Sequence, residues 1–153
     1  MEQEILKIKG HLKLTFRDAK TGKIKRVKEY DNLITTVGKT MIADNISNAS
    51  PDNVMRINYV ALGTDATAPV AGNTTLGAES YRNTVASETN AGAIAYFTGF
   101  FNATECNGTY KEAGLFADAV DTPDDGILFS HVAIDETKSV TETLTIDWTI
   151  TVN

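Results

Sequence analysis

The most regular pattern in the chain lies near its C-terminal end, in residues 141–152. Its large apolar residues occupy every second position: Leu144, Ile146, Trp148, Ile150 and Val152. Side chains of a β-strand alternate between two faces, so this spacing predicts a strand with one buried and one solvent-exposed face. We expect it to be the main strand of a sheet, because each large side chain that it buries contributes roughly 1.5–3 kcal/mol.

A second alternating stretch begins near the N-terminus. Its even positions are mostly apolar from Leu6 to Phe16, and most of its odd positions are cationic. Residues 18–22 contain the Asp, Thr and Gly that favour a turn, and residues 23–30 return as a second strand. The pattern predicts a basic β-hairpin over about residues 5–31.

After residue 34 the apolar residues no longer occupy every second position but recur at spacings of four, one and four. Thr35 or Thr36 can cap a helix whose apolar residues fall on one stripe. That stripe contains Val37, Met41, Ile42 and Ile46. The sequence therefore predicts one short α-helix, at about residues 36–47.

The rest of the chain alternates strand patterns with turn residues. Strands are predicted at 54–62, 81–88, 93–101, 109–116 and 127–134, with turns at 89–92 and 135–138 and a long surface loop at 64–76. Strands 93–101 and 127–134 are apolar at both alternating sets, which predicts cover on both faces. With its 153 residues, the chain is predicted to form a single domain (1–153), mostly β. We expect an antiparallel β-sandwich of about eight or nine strands with one helix.

Charge is distributed unevenly along the chain. Residues 1–40 hold ten Lys/Arg and five Asp/Glu, whereas residues 41–153 hold four and fifteen. The first part therefore carries a net +5 and the second a net −11, which add to the overall −6. Two uses remain open: the basic hairpin contacts the acidic surface of a neighbouring subunit, or it lies on its own acidic body. An acidic body repels phosphates, so direct nucleic-acid binding is not expected.

Few residues offer reactive chemistry. His11 lies among lysines and is predicted to be solvated, and His131 lies in a buried strand, where a hydrogen-bonded core position is expected. Cys106 is the only cysteine and is interpreted as a small buried hydrophobic residue. No His or Cys spacing is typical of zinc, so no metal or other cofactor is predicted.

Carboxylates give two further candidates. Residues 118–126, here called the acidic loop, hold Asp118, Asp121, Asp124 and Asp125. They could surround a hard cation, but they lack the EF-hand arrangement, and a solvated turn is favoured. Glu105 and Glu112 could act as general acid and base, yet two glutamates beside a turn occur in many hairpins, and no catalytic residue is predicted.

Three tyrosines could bind sugars by stacking: Tyr59, Tyr81 and Tyr110. Tyrosine in a threonine-rich sheet more often packs in the core or against a cross-strand neighbour. The chain has no apolar run long enough to cross a membrane, and its N-terminus lacks the pattern of a signal peptide. We therefore expect synthesis in the cytoplasm and no membrane partner.

Four segments carry a resemblance to a known family: NLITTVGKTMIA at 32–43, INYVALGTDATAP at 57–69, NGTYKEAGLF at 107–116 and ETLTIDWTI at 142–150. In this order they resemble structural proteins of tailed bacteriophages. In those proteins a strand hairpin leads to an NL(I/V)xxxG segment and a helix, then to an ALG segment, an EAGLF hairpin and a closing strand. The resemblance covers most of residues 28–152.

The resemblance implies a virion component of the tail, baseplate, fibre or capsid decoration, without enzymatic activity. Its expected partners are further copies of itself, as a homo-oligomer, and other virion proteins. A glycan- or receptor-binding β-sandwich is the alternative. Charge and pattern, and no family motif, predict the assembly contacts: Lys7, Lys9, Lys13, Arg17, Lys23, Lys25, Arg26, Lys28, Asp65 and Thr67.

Overall fold

The structure is a computed structural model that describes residues 3–153. The first two residues of the predicted domain lie outside this range. The described chain is mostly β, with a single α-helix and nine strands, as the sequence predicts. The elements in order are β1 (Ile8–Asp18), β2 (Ile24–Ile34), α1 (Thr36–Ser47), β3 (Ile57–Gly63), β4 (Glu79–Thr84), β5 (Ser87–Ala91), β6 (Ile94–Phe101), β7 (Gly108–Ala117), β8 (Ile127–Lys138) and β9 (Glu142–Val152).

All nine strands join in one antiparallel sheet, in the order β4-β3-β7-β8-β2-β1-β9-β6-β5. Two groups of strands meet at a narrow connection, where β2 pairs with β8 only at Leu33–His131 and Ile34–Ser130. We call strands β2, β1, β9, β6 and β5 the β1 half, and strands β8, β7, β3 and β4 the β7 half. The sheet curls at this connection, so that the inner faces of the two halves enclose a common core.

The core confirms the alternation in the last strand. Along β9 every second residue from Glu142 to Ile150 is buried. Trp148 is fully buried and lies in register with Leu12 of β1 and Phe97 of β6. The strand is therefore hydrogen-bonded on both sides and supplies much of the inner face of the β1 half.

The predicted strand 81–88 is divided in two. Its first part, β4, pairs with β3, and its second part, β5, pairs with β6. Only residues 85 and 86 separate them, and the Val85 N–H donates to the Asn58 carbonyl at 2.9 Å while the Ala86 N–H donates to the Thr98 carbonyl at 2.7 Å. The chain thus crosses from one edge of the curled sheet to the other. The predicted turn at 89–92 also shifts, since β5 continues to Ala91.

The two strands predicted to be covered on both faces differ. For β6 the prediction is wrong, because Tyr96 and Phe100 on its outer face are 40% and 44% exposed. For β8 it is confirmed, because the outer face of the β7 half carries a second small core. That core comprises Ala61, Leu76, Phe116, Ala119 and Leu128. Leu76 and Ala119 belong to loops, and these loops cover the outer face of the β7 half. The outer face of the β1 half has no such cover at Tyr96 and Phe100.

The helix begins where the sequence predicts. The Thr35 side chain accepts a hydrogen bond from the Gly38 N–H at 3.0 Å, which caps the first turn. Met41 is buried and Ile42 is half-buried, but Ile46 is 79% exposed. The predicted apolar stripe therefore ends before the last turn of the helix.

The predicted turn at 135–138 is wrong, because β8 continues to Lys138. Two polar residues that suggested a turn are buried and have partners. The Tyr30 hydroxyl donates to Glu136 at 2.6 Å, and Lys138 Nζ donates to the Glu105 carbonyl and to Asn107 Oδ1, both at 2.9 Å. Burial lowers the pKa of Lys138. The actual turn consists of residues 139–141.

Strand directions place the loops at two ends of the sheet. β1 and β8 run toward the end that carries the β1–β2 turn at residues 19–23, here called the hairpin end. β7 and β9 run the opposite way. The acidic loop, which follows β7, therefore lies at the other end, together with residues 5–7 and the start of α1. We call this the N-terminal end.

Candidate functional site

The basic residues of β1 lie on the open outer face of the β1 half, next to acidic residues. Lys13 is in register with Glu29 of β2 and Asp147 of β9. His11 Nδ1 lies 3.0 Å from Asp31 Oδ1, and its Nε2 lies 3.4 Å from Glu29 Oε1. The hydrogen bond to Asp31 is the main reason that the pKa of His11 is raised. The His11 side chain is 45% exposed, which agrees with the predicted solvated position. Its hydrogen bonds to Asp31 and Glu29 were not predicted.

Lys25 and Arg26 contact their own subunit. Lys25 Nζ lies 2.9 Å and Arg26 Nη1 2.7 Å from Oε1 of the buried Glu142. The Arg26 guanidinium also lies 3.7 Å from the centre of the Phe16 ring. Burial by itself would raise the pKa of Glu142, but hydrogen bonds from Arg26, Lys25 and the Ser139 N–H outweigh it and lower the pKa to about 2. For these two cations the second open possibility, contact with the chain's own acidic body, holds.

The other predicted contact residues of the hairpin remain at the surface. Within residues 3–153 no ion pair involves Lys7, Lys9, Lys13, Lys23 or Lys28. All five are exposed. Arg17 is half-buried and donates to the Gly22 carbonyl at 3.3 Å. Cations without a partner in their own subunit can form ion pairs across an interface without first breaking one.

The 64–76 loop lies at the surface, as predicted, and is held in place by polar contacts. Asp65 Oδ1 accepts hydrogen bonds from the N–H and the hydroxyl of Thr67 at 2.9 and 2.8 Å. These hydrogen bonds lower the pKa of Asp65. The Thr36 N–H donates to the Ala71 carbonyl at 2.8 Å, which connects the loop to the start of α1. Asp65 and Thr67, the two loop residues in the predicted contact set, therefore hydrogen-bond with each other at the start of the loop.

A buried pair of side chains supports this loop from below. His131 Nε2 lies 2.8 Å from Glu112 Oε2, and Glu112 also accepts hydrogen bonds from the N–H groups of Gly77 and Ala78 at 2.9 and 2.8 Å. His131 Nδ1 lies 3.1 Å from Asn73 Oδ1. The sequence predicts a buried, hydrogen-bonded His131, which the structure confirms. The sequence alone does not indicate that His131 pairs with Glu112, because only the antiparallel register of β7 and β8 brings the two residues together.

The same pair also borders a polar cavity of about 300 Å³ beneath the loop. Both ring nitrogens face oxygen acceptors, since Asn73 Oδ1 already accepts the Val70 N–H at 2.8 Å. In this geometry the pair anchors the loop to the sheet.

The acidic loop is held by a buried ion pair that the sequence did not reveal. The Arg82 guanidinium pairs with Glu79, and both side chains are almost fully buried. Arg82 Nη1 also donates to the Val120 carbonyl at 2.7 Å, and the Asp124 N–H donates to Glu79 at 2.8 Å. Burial, followed by the nearby Glu79, raises the pKa of Asp124. A glutamate and an arginine three residues apart on an edge strand give no sequence signal for such a role.

The carboxylates of the acidic loop do not converge on one point. Asp118 Oδ2 accepts the Val54 N–H at 3.2 Å, and Asp125 Oδ2 accepts the Val120 N–H at 2.8 Å. Residues 3–153 contain no group of three or more His, Cys, Asp or Glu side chains that could hold a metal ion. Within the described chain the loop is a hydrogen-bonded turn, in which Asp118 and Asp125 accept backbone N–H groups.

The remaining candidates have structural positions. Cys106 is buried, as predicted, and burial raises the pKa of its thiol to about 12. Tyr110 is buried, and Tyr81 packs edge-on against Phe101 with ring centres 5.9 Å apart. Tyr59 is half-buried beside the Arg82 guanidinium. The three tyrosines therefore form no sugar-binding platform, and packing, the favoured interpretation, is confirmed.

Glu105 Oε2 accepts the Asn102 N–H at 2.8 Å, which stabilises the turn before β7.

The helix in the described part of the chain is too short to span a bilayer. No family model, curated protein or solved structure matches the chain. The resemblance to phage structural proteins therefore stays a prediction.

Proposed function

We propose that the protein is a non-enzymatic structural component of a tailed-phage virion that assembles through contacts between oppositely charged surfaces. One observation carries the proposal: a rigid acidic loop and a set of lysines with no ion pair inside residues 3–153 occur on the same subunit. Both sets lie at the surface, and each could supply the opposite charge to the other on a neighbouring copy.

The fold supports a scaffold role. We propose that the two halves of the curled sheet act as the two layers of a β-sandwich, with the narrow β2–β8 connection between them. Its buried polar groups fix loops: Glu112 and His131 hold residues 73–78, and Arg82 holds the acidic loop. Loops with one conformation lose little entropy when they join an interface, which favours repeated, identical contacts.

Sedimentation velocity of the purified protein tests the assembly. We expect a defined oligomer at about 50 mM salt that dissociates as salt rises toward about 0.5 M, because screening weakens contacts between exposed charges. Lys9→Glu is expected to shift the oligomer toward monomer, because Lys9 is exposed and lies opposite the uncharged Thr151. Lys20→Glu is the matched control, because Lys20 is also exposed but lies outside the predicted contact set.

Electron microscopy with a labelled antibody tests the virion role, and labelled tails, baseplates or capsids on phage particles that carry this gene are the expected result. A protein that remains monomeric at high concentration and low salt, and that no particle contains, would refute the proposal. Specific binding to a glycan array by such a monomer would instead support the glycan-binding alternative.

A further inference from the structure

A groove at the N-terminal end lies between the segment that enters β1 and helix α1. It has a volume of about 570 Å³, with Leu6, Ile8, Ile42 and Ile46 among its apolar lining. Its lining also contains three lysines, Lys7, Lys9 and Lys39, and no acidic residue. The groove thus combines an apolar surface with an entirely cationic set of charged groups.

The apolar part of the groove is open to solvent. Leu6 is 66% exposed and Ile46, in α1, is 79% exposed, and neither residue lies in a turn. Exposed apolar side chains that adjoin one another commonly mark an interaction site. The charged set restricts the partner, since an apolar segment that fits here must also carry negative charge.

The acidic loop has this composition. Val120 is 58% exposed, and Asp118, Asp121 and Asp124 around it are exposed as well. The loop is also held by hydrogen bonds, because Arg82 Nη1 donates to the Val120 carbonyl at 2.7 Å and to the Asp125 carbonyl at 3.3 Å. A preorganised loop that presents one apolar side chain among carboxylates complements the groove in polarity and in charge.

Groove and loop lie at the same end of the sheet, yet no residue of the loop lines the groove of its own subunit. Two copies related by a two-fold axis can therefore exchange these contacts, so that each loop enters the partner's groove. Stable interfaces bury on the order of 1,200–2,000 Å². A reciprocal arrangement doubles the area that a single loop would bury.

We infer that the acidic loop of one copy binds the groove formed by residues 6–9 and α1 of a second copy, in a reciprocal dimer. Val120 contacts the apolar side chains, and Asp121 pairs with Lys39. This inference rests on the proposed function and specifies which surfaces of the subunit meet.

A charge exchange tests the pairing. Lys39→Glu and Asp121→Lys are each expected to raise the dimer dissociation constant by about tenfold or more, because each places like charges together. The double variant restores opposite charges and is expected to return to within about threefold of the original value. Sedimentation velocity at about 50 mM salt measures all four proteins, and Lys20→Glu, at the hairpin end, is expected to leave the constant unchanged.

Val120→Ser tests the apolar part of the contact and is expected to weaken the dimer without altering its salt dependence.

If the protein still forms an oligomer but neither single charge reversal weakens it, the inference is overturned while the proposed assembly role stands. If both reversals weaken it and the double variant shows no recovery, the direct pairing of Asp121 with Lys39 is overturned. A wild-type protein that is monomeric under all these conditions overturns the inference together with the assembly role.

Discussion

His131 Nε2 and Glu112 Oε2 lie 2.8 Å apart beneath the 64–76 loop, and both side chains are almost fully buried. Glu112 also binds two backbone N–H groups at the end of that loop, and His131 binds Asn73 within it. The pair is therefore the connection between a surface loop and strands β7 and β8.

Glu112→Gln is expected to lower the free energy of unfolding by about 2–4 kcal/mol. The new amide group would face N–H donors, so at least one buried donor loses its acceptor. Urea unfolding measures the loss, and hydrogen exchange should show faster exchange in residues 73–78. Asp135→Asn is the control, because Asp135 is 75% exposed and is expected to change stability by less than about 0.5 kcal/mol.

Glu142 is expected to make stability sensitive to acid. Its pKa in the folded protein is about 2, below its ordinary value of 4.5. The contribution is therefore fully present above about pH 4.5 and is lost as the pH falls toward 2. After allowance for solvent around Lys25 and Arg26, it is on the order of 2–3 kcal/mol.

The measurement compares urea unfolding of the wild type and Glu142→Gln between pH 7 and pH 2.5. The wild type is expected to be more stable at pH 7, and the difference should shrink below pH 4.5. A difference that stays constant down to pH 2.5 would show that the ion pairs of Glu142 with Lys25 and Arg26 do not contribute to the acid sensitivity.

Trp148 combines large apolar burial with an unsatisfied polar atom. Its side chain is fully buried, and its Nε1 has no hydrogen-bond partner within residues 3–153. Trp148→Ala is expected to cost about 3–5 kcal/mol because it leaves a large cavity. Trp148→Phe should cost less than about 2 kcal/mol, since it also removes a buried donor without a partner. Thermal unfolding followed by circular dichroism separates the two; equal losses would contradict the role of the unsatisfied donor.

Gly38 lies where α1 comes closest to the sheet. A Cβ added there would lie 2.7 Å from the Phe129 carbonyl oxygen. Helix propensity alone predicts that Gly38→Ala stabilises by about 1 kcal/mol. We expect a loss of about 1–3 kcal/mol instead, because the helix must move away from β8. Gly72→Ala is the control, because a Cβ at that position has no atom within 4 Å, and it should be neutral or slightly stabilising in the same urea assay.

Local patterns in the sequence predict most of the secondary structure. The alternation in residues 141–152 becomes β9, and the change of spacing after residue 34 becomes α1 with Thr35 as its cap. These predictions succeed because strand and helix periodicity depends on residues close together in the chain. The errors occur where a distant segment decides: β8 continues through residues 135–138 because Tyr30 and the loop before β7 satisfy its buried polar groups.

The charged surfaces proposed for assembly, the basic hairpin and the acidic loop, depend on contacts between segments that are far apart in the sequence. Charge counts along the chain show a basic first part and an acidic remainder, but not that Lys25 and Arg26 bind Glu142 while Lys7 and Lys9 remain exposed. Arg82 and Glu79 look like ordinary residues of an exposed strand. Their burial beneath the acidic loop follows from the packing of that loop against β4.

The amino-acid sequence by itself determined the β-rich class, the single helix of residues 3–153, the buried face of the last strand and the separation of charge along the chain. Each of these depends on which residue types are neighbours in the sequence. Only the tertiary structure decided that the strands form one curled sheet, which face of β6 stays open, and that Glu112 meets His131. These features depend on which strands pair and in which register, and register is set by the joint packing of segments far apart in the chain.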